Sequence, residues 1–195
     1  MCSYNCPVEK LVTPRLRLRP VQESDLAFLL NLWNDPLVMH YAGFPQGKGW
    51  QEADIKGWFE RLEAGQNPQA PEETHWLILL PEGTRIGESG GGKLPPGWSA
   101  PGYTAPAGRI TCMTDVKLAP AFWGQGYATE ALQALLGFYF TATGTEELLV
   151  PPHAQNPAAL RLYEKCGFVD IGPSPWPGHR LLARTWGHYL AGVPG

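Results

Sequence analysis

Val116 to Phe140 reads VKLAPAFWGQGYATEALQALLGFYF, and the rest of the chain is organised around this run. A β-prone segment stops at Pro120, a short turn carries Gly124, Gln125 and Gly126, and an amphipathic helix follows at once. Apolar residues recur at Ala128, Leu132, Leu135, Leu136 and Tyr139, which is helical spacing with one face for a core, while Thr129, Glu130 and Gln133 fall elsewhere. The glycines therefore stand at a helix N-terminus. There the first N–H groups lack intrahelical partners and the helix dipole is positive, so backbone alone can bind a phosphate where no Cβ blocks the approach.

Rival readings of these glycines fit less well. A dinucleotide fingerprint needs a third glycine, but Thr129 stands there, and Pro120 to Trp123 separate strand from turn. Upstream, Gly87, Gly92 and Lys93 satisfy G-x-x-x-x-G-K. Leu94 follows in place of Ser or Thr, and Pro95 and Pro96 oppose the required helix. A tight strand-to-helix turn without a ligand is the plain alternative for Gly124 and Gly126.

Upstream of the run, Arg15 to Arg19 alternates Arg and Leu, the pattern of a half-exposed strand whose arginines face water. Leu26, Leu29, Leu30 and Trp33 predict a helix that starts near Glu23, Ser24 and Asp25 and ends before Pro36. Ile55, Trp58, Phe59 and Leu62 predict a second, stopped by Gly65 and Asn67. Between them, His40, Tyr41, Phe44 and Trp50 either line a pocket or pack on one another. Trp76 to Leu80 and Arg85 to Glu88 read as a hairpin across Glu82-Gly83. Residues 88–108, rich in Gly and Pro from Gly90 on, read as an inserted loop, either a lid or a loose segment. Strand character returns from Ile110 to Leu118. Beyond the central helix, Gly144 is a C-cap, Leu148 to Val150 a strand that ends at Pro151 and Pro152, and Asn156-Pro157 the start of another helix. Ala159, Leu162, Tyr163 and Cys166 mark its inner face, Gly167 stops it, and Phe168 to Ile171 and Arg180 to Thr185 are the last strands. The order β-α-α-β-β-β-α-β-α-β-β predicts an α/β layer on a mostly antiparallel sheet.

With 195 residues, 44% of them apolar, the chain can bury one good core, so a single domain over residues 11–190 is expected, with 1–10 as a disordered extension. A formal charge of -3 gives no basic excess for nucleic acid or an acidic membrane. No apolar run reaches the ~18 residues of a membrane helix, and the start has no signal-peptide core. A cytoplasmic protein is expected. Cys2, Cys6, Cys112 and Cys166 are too few and scattered for a disulfide framework, and His40, His75, His153, His179 and His188 lack ligand spacing, so no metal is expected.

FWGQGYATEAL resembles the pyrophosphate loop of the GCN5-related N-acetyltransferase (GNAT) family, whose pattern is Q/R-x-x-G-x-G/A, and is especially similar to its RimJ/RimL-like ribosomal-protein-alanine acetyltransferase branch. Gly124 and Gly126 match, while Ala121 stands where many members carry Gln or Arg. NPAALRLYEKCGF resembles a second family segment, with Asn156, Tyr163, Glu164, Lys165, Gly167 and Phe168 matching. The resemblance implies a GNAT fold with a splayed strand pair that holds acetyl-CoA, and acetyl transfer to a primary amine of a protein N-terminus or a small molecule. It further implies that backbone from Gly124 through Gln125, Gly126, Tyr127 and Ala128 to Thr129, beside Trp123, holds the pyrophosphate. Val116 to Leu118, Asn156 and Ala159 would meet the pantetheine arm. A phenol at Tyr163 would protonate the leaving thiolate, its plain alternative being a core tyrosine. Asp115 is the nearest carboxylate for taking the amine's proton, with Glu88 and His75 in reserve; an exposed carboxylate paired with Lys117 is the other reading. A catalytically idle acyl-CoA sensor is the alternative function. A homodimer stays open, and so does the acceptor.

Overall fold

The computed structural model describes residues 10–65 and 73–192; the expected stop signal Asn67, Cys2, Cys6 and nearly all of the expected N-terminal extension lie outside them. The chain opens with β1 (Leu11–Val12) and β2 (Arg17–Pro20), followed by α1 (Leu26–Asn34). Asp35 is extended ahead of Pro36, which ends α1. The same proline then opens a short α2 (Pro36–Met39), whose first turn the Asp35 side chain caps. Next come α3 (Glu52–Glu63), β3 (Thr74–Leu79) and β4 (Arg85–Lys93). A small pair β5 (Ser99–Ala100) and β6 (Tyr103–Thr104) precedes β7 (Thr111–Thr114) and β8 (Lys117–Leu118). The chain continues through α4 (Tyr127–Ala142), β9 (Glu147–Val150), α5 (Pro157–Lys165), β10 (Val169–Pro173), β11 (Arg180–Thr185) and α6 (Trp186–Leu190).

The main sheet runs β1-β2-β3-β4-β7-β9-β11-β10, antiparallel except for β7 with β9. It is the mixed, mostly antiparallel sheet flanked by helices that the sequence predicts. Period-2 alternation serves both faces: Trp76 and Ile78 of β3 enter the core under α4 and α5, and Leu77 and Leu79 the core under α1 and α3. On α4, Ala131, Leu132, Leu135, Leu136, Tyr139 and Phe140 are buried, so cutting Leu135 to alanine would cost about 3 kcal/mol. Among the described residues no helix is long and apolar enough to cross a membrane.

Two expectations are corrected. Glu88 to Lys93 is not loop but the far half of the nine-residue β4. Its glycines are needed for close approach: a Cβ on Gly91 would lie 2.5 Å from the Met113 carbonyl oxygen, and one on Gly90 2.4 Å from the His75 ring. Beyond β4, Trp98, Ala100 and Tyr103 pack on Leu149, Leu181 and Ala183, and the Tyr103 hydroxyl donates to Glu147, so this stretch is seated on the sheet. The arginines do not simply face water either. Arg19 and Arg85 share the fully buried Asp25 at 2.6 and 2.8 Å.

Candidate active site

The sheet opens into a fork. β7 pairs with β9 only from Thr111↔Glu147 to Met113↔Leu149; beyond that, β9 runs into Pro151 and Pro152 while β8 stays on β4. Asp115 N–H and Ala119 N–H donate to Gly90 and Ile86 of β4, so the alternating residues Val116 and Leu118 turn their polar backbone away from β4. The ladder is interrupted between Thr114 and Lys117: Ser89 Oγ donates to the Asp115 carbonyl, and Gly90 N–H donates to Asp115 Oδ1 at 3.2 Å.

Tyr163 reaches this region from α5. Asn156 Oδ1 accepts from Ala159 N–H at 3.1 Å and Pro157 occupies the first turn, which is why α5 starts where it does. The tyrosine is 4% exposed, its ring set edge-on against Phe168, and burial, then the Asp115 carboxylate, push its phenol well above the usual range, against a hydrogen bond from the Val116 backbone. It is therefore a proton holder at neutral pH.

At the end of β8 the chain makes a 3-10 turn and two left-handed glycines, Gly124 (φ +74) and Gly126 (φ +80), the second being the N-cap of α4. A Cβ on Gly124 would meet nothing within 4 Å, so its backbone conformation, not crowding, calls for glycine. Trp123 Nε1 donates to the Leu118 carbonyl at 2.7 Å, which commits that oxygen inside the protein. Arg15 leans over this turn: its guanidinium pairs with Glu130 at 2.6 Å, donates to the Gln125 carbonyl at 3.0 Å and covers the Tyr127 ring at 4.7 Å. The α4 cap thus carries a cation from the distant bend between β1 and β2, where the sequence shows only Ala121.

Across the fork lies a chain of charges. Glu88, 0% exposed, accepts from Trp33 Nε1 and Lys117 Nζ, each at 3.0 Å, and from His75 Nδ1 at 3.1 Å. His75 Nε2 faces Glu73 Oε1 at 2.8 Å, and Lys117 Nζ continues to Asp115 Oδ2. Burial opposes ionisation of Glu88, but Lys117 and then His75 outweigh it and hold the carboxyl far below its ordinary range. Burial likewise opposes the imidazolium, yet the bonds to Glu73 and Glu88 raise His75 to about 9. Lys117 is raised too, by Asp115 and Glu88 against burial. Both shifts run against a base role for the reserve residues at neutral pH, His75 being held towards its protonated form and Glu88 towards a bonded, weakly basic carboxylate.

A cavity of 780 Å³ joins the two sides. Of the site residues named from sequence, His75, Asp115, Val116, Lys117, Asn156, Ala159 and Tyr163 line it, with Tyr41; Glu88 does not, nor do Leu118, Trp123, Gly124, Gln125, Gly126, Tyr127, Ala128 and Thr129, which form the neighbouring turn. His40 backs Tyr41, while Phe44 and Trp50 sit around Lys48. Asp115 meets Lys117 as its plainer reading expects. The acidic residues Glu52, Asp54 and Glu60 are exposed on α3, away from the cavity. Sequence reasoning missed Glu73, Trp98, His153, Trp176 and His179 on the cavity wall and Arg15 at the α4 cap; apart from Glu73, two residues from His75, they come from separate segments and share no local spacing. Among the described residues no three metal-ligating side chains stand together.

The sequence pattern of the Acetyltransferase (GNAT) domain family matches residues 15–169. The chain is 32% identical over 168 residues to YkkB of Bacillus subtilis (strain 168), covering 81% of this chain and 84% of that protein. It is 34% identical over 160 residues to spermidine N(1)-acetyltransferase of Vibrio cholerae, covering 81% of each. In fold it is similar to spermidine N-acetyltransferase from Vibrio cholerae in complex with CoA and spermine, with a TM-score of 0.70, 20% identity and coverage of 91% of this chain and 99% of that one. It is similar too to aminoglycoside acetyltransferase AAC(6')-Ib in complex with ribostamycin and coenzyme A, with a TM-score of 0.70, 23% identity and coverage of 90% and 96%.

Proposed function

The chain belongs to the GNAT acetyltransferase family, and from that premise we propose how its residues divide the work. It is an acetyl-CoA-dependent N-acetyltransferase of amines. The similar proteins are named for spermidine and aminoglycosides, and a small-molecule amine is the acceptor we favour here. The RimJ/RimL-type placing is that of the family matched over residues 15–169, and the finer ribosomal-protein-alanine branch rests on FWGQGYATEAL. We take residues 11–190 as one domain in the cytoplasm.

Acetyl-CoA supplies an acetyl group activated as a thioester. The fork suits such a donor, because an extended arm bearing amides can run beside the outward backbone of Val116 as an added strand does. Leu118 contributes less, its carbonyl being held by Trp123. The turn from Gly124 to Thr129 offers a diphosphate the free N–H groups of α4, with the Arg15 guanidinium at its rim. Asn156 and Ala159 border the arm from the α5 side. Tyr163 holds the proton that the departing sulfur needs. Asp115, its side chain 40% exposed, takes the proton that the amine must lose, directly or through water, while Lys117 keeps it in place.

The observation that carries this reading is that the Tyr163 phenol, the Val116 edge and the Asp115 carboxylate line one cavity where the strands part. Thiol release from acetyl-CoA tests it. Tyr163→Phe is expected to lower kcat roughly a hundredfold and Asp115→Asn about tenfold, with CoA affinity kept in both. Wild-type turnover by Tyr163→Phe would refute the assignment.

A further inference from the structure

Three separate segments meet along one part of the cavity wall: Tyr41 from the linker ahead of α3, His153 from the stretch between β9 and α5, and Trp176, Pro177 and His179 from the turn between β10 and β11. The reaction above uses none of them. The turn closes on itself, with Ser174 N–H donating to the His179 carbonyl and His179 N–H to the Trp176 carbonyl, each at 3.1 Å. Its stem is laced to the β9 side by main chain: Arg180 N–H donates to Pro152 and Ala154 N–H to Gly178, each at 2.8 Å. Glycine is needed at 178 for this approach, since a Cβ there would lie 2.6 Å from His153 Nε2.

On the other flank the link is a side chain. His179 Nε2 stands 3.0 Å from the carbonyl oxygen of Tyr41, 138 residues away in the chain, and Nδ1 stands 3.0 Å from the Pro177 carbonyl oxygen. A carbonyl oxygen can only accept, so the ring carries a proton on Nε2 to hold Tyr41, and a second on Nδ1 to hold Pro177 as well. Ring packing extends the contact. His153 lies edge-on to His179 with centroids 4.9 Å apart, Tyr41 lies 5.4 Å from His153, and His153 Nδ1 accepts from Gln155 N–H at 3.1 Å, which orients that ring between the two. Trp176 is 45% exposed on this turn. An exposed turn that carries a large ring loses entropy when it is held still, and a bond to a second segment meets that cost before the acceptor arrives.

We propose that His179 is a positioning residue for the acceptor: by holding the Tyr41 carbonyl it clasps the β10–β11 turn to the linker ahead of α3 and keeps the Tyr41 and Trp176 rings in place as a preformed wall for the body of the amine. This rests on the N-acetyltransferase reading and adds a residue to its acceptor side. The clasp touches neither the Val116 edge nor the α4 cap, so its loss should be felt by the amine and not by CoA.

The test measures thiol release from acetyl-CoA with four probes, spermidine, kanamycin, phenethylamine and a peptide with a free N-terminus, with calorimetric titration of CoA alongside. For the probe that wild type turns over best, His179→Ala is expected to raise the acceptor KM about tenfold while kcat and CoA affinity hold. His179→Asn, whose amide stands at the Nδ1 position and falls short of Tyr41, should do the same. His179→Gln, whose amide nitrogen still reaches the Tyr41 carbonyl, is expected to stay within about threefold of wild type. A ring with a folding role alone would lower the melting temperature and leave the acceptor KM where it was. An unchanged acceptor KM in His179→Ala and His179→Asn, a loss confined to kcat, or no rescue by His179→Gln would each overturn the proposal. In those cases CoA binds, an amine is acetylated and the family reading survives; absence of CoA binding, or of thiol release with every probe, would remove the N-acetyltransferase reading and this proposal with it.

Discussion

On the donor side of the cleft the protein presents main chain: the outward edge at Val116 and the amide-rich cap of α4, with one phenol between. On the proposed acceptor side it presents side chains drawn from α1, β3, β4 and β8, joined by hydrogen bonds and ion pairs. The first surface is fixed by φ angles and strand register, which substitutions elsewhere barely alter. The second depends on every member being present, because removing one leaves an uncompensated buried charge. The two sides should therefore fail in different ways, the donor side in ligand affinity and the acceptor side in stability.

The largest expected effect is on the acceptor side. Lys117→Met strips Glu88 and Asp115 of their shared cation and is expected to cost about 4 kcal/mol in urea unfolding. An effect below about 1 kcal/mol would show that water enters and screens the network.

The same side should give stability a pH dependence of known sign. His75 is raised in the fold from 6.5 to about 9, so its contribution is complete below about 6.5 and is lost as pH rises through 9. Roughly 3 kcal/mol is expected to disappear between neutral pH and ~10, and His75→Gln should flatten that limb of the curve. Glu88 works in the opposite direction: its contribution is present above 4.5 and fades as pH falls.

Donor-side substitutions should weaken CoA while costing less stability than Lys117→Met. Gly126→Val puts a β-branched residue at φ +80 beside Arg15, and CoA affinity by calorimetry is expected to fall roughly thirtyfold, about 2 kcal/mol. The smallest effect is that of Arg15→Ala, about threefold in CoA affinity and fading with salt, because the guanidinium is about half exposed.

The same contrast explains what the sequence made legible. The donor side is written in two contiguous runs, Val116 to Phe140 and Asn156 to Phe168, since a glycine turn, a helix cap and a phenol at fixed helical spacing are local features. The glycine turn at Gly124 and Gly126, the Asn156 cap and the helix that carries Tyr163 were therefore readable in advance. Glu88 and His75 were visible only as spare carboxylate and imidazole; Glu73 stands two residues from His75, but Trp33 and Lys117 lie 55 and 29 residues from Glu88, and only the fold joins them. Gly90 and Gly91 misled for a physical reason. Glycine is a poor strand former, yet here β4 must pass so close to His75 and Met113 that any Cβ would collide. Arg15 was read as a solvated strand residue because nothing local reveals that the α4 cap folds beneath it.

A crystal structure of the protein with CoA tests the central claim most directly. The account predicts the pantetheine arm alongside Val116 in the fork, the diphosphate on the amides from Gly124 to Thr129, and the sulfur within hydrogen-bonding reach of the Tyr163 hydroxyl. A diphosphate seated elsewhere, or a sulfur remote from Tyr163, would contradict it.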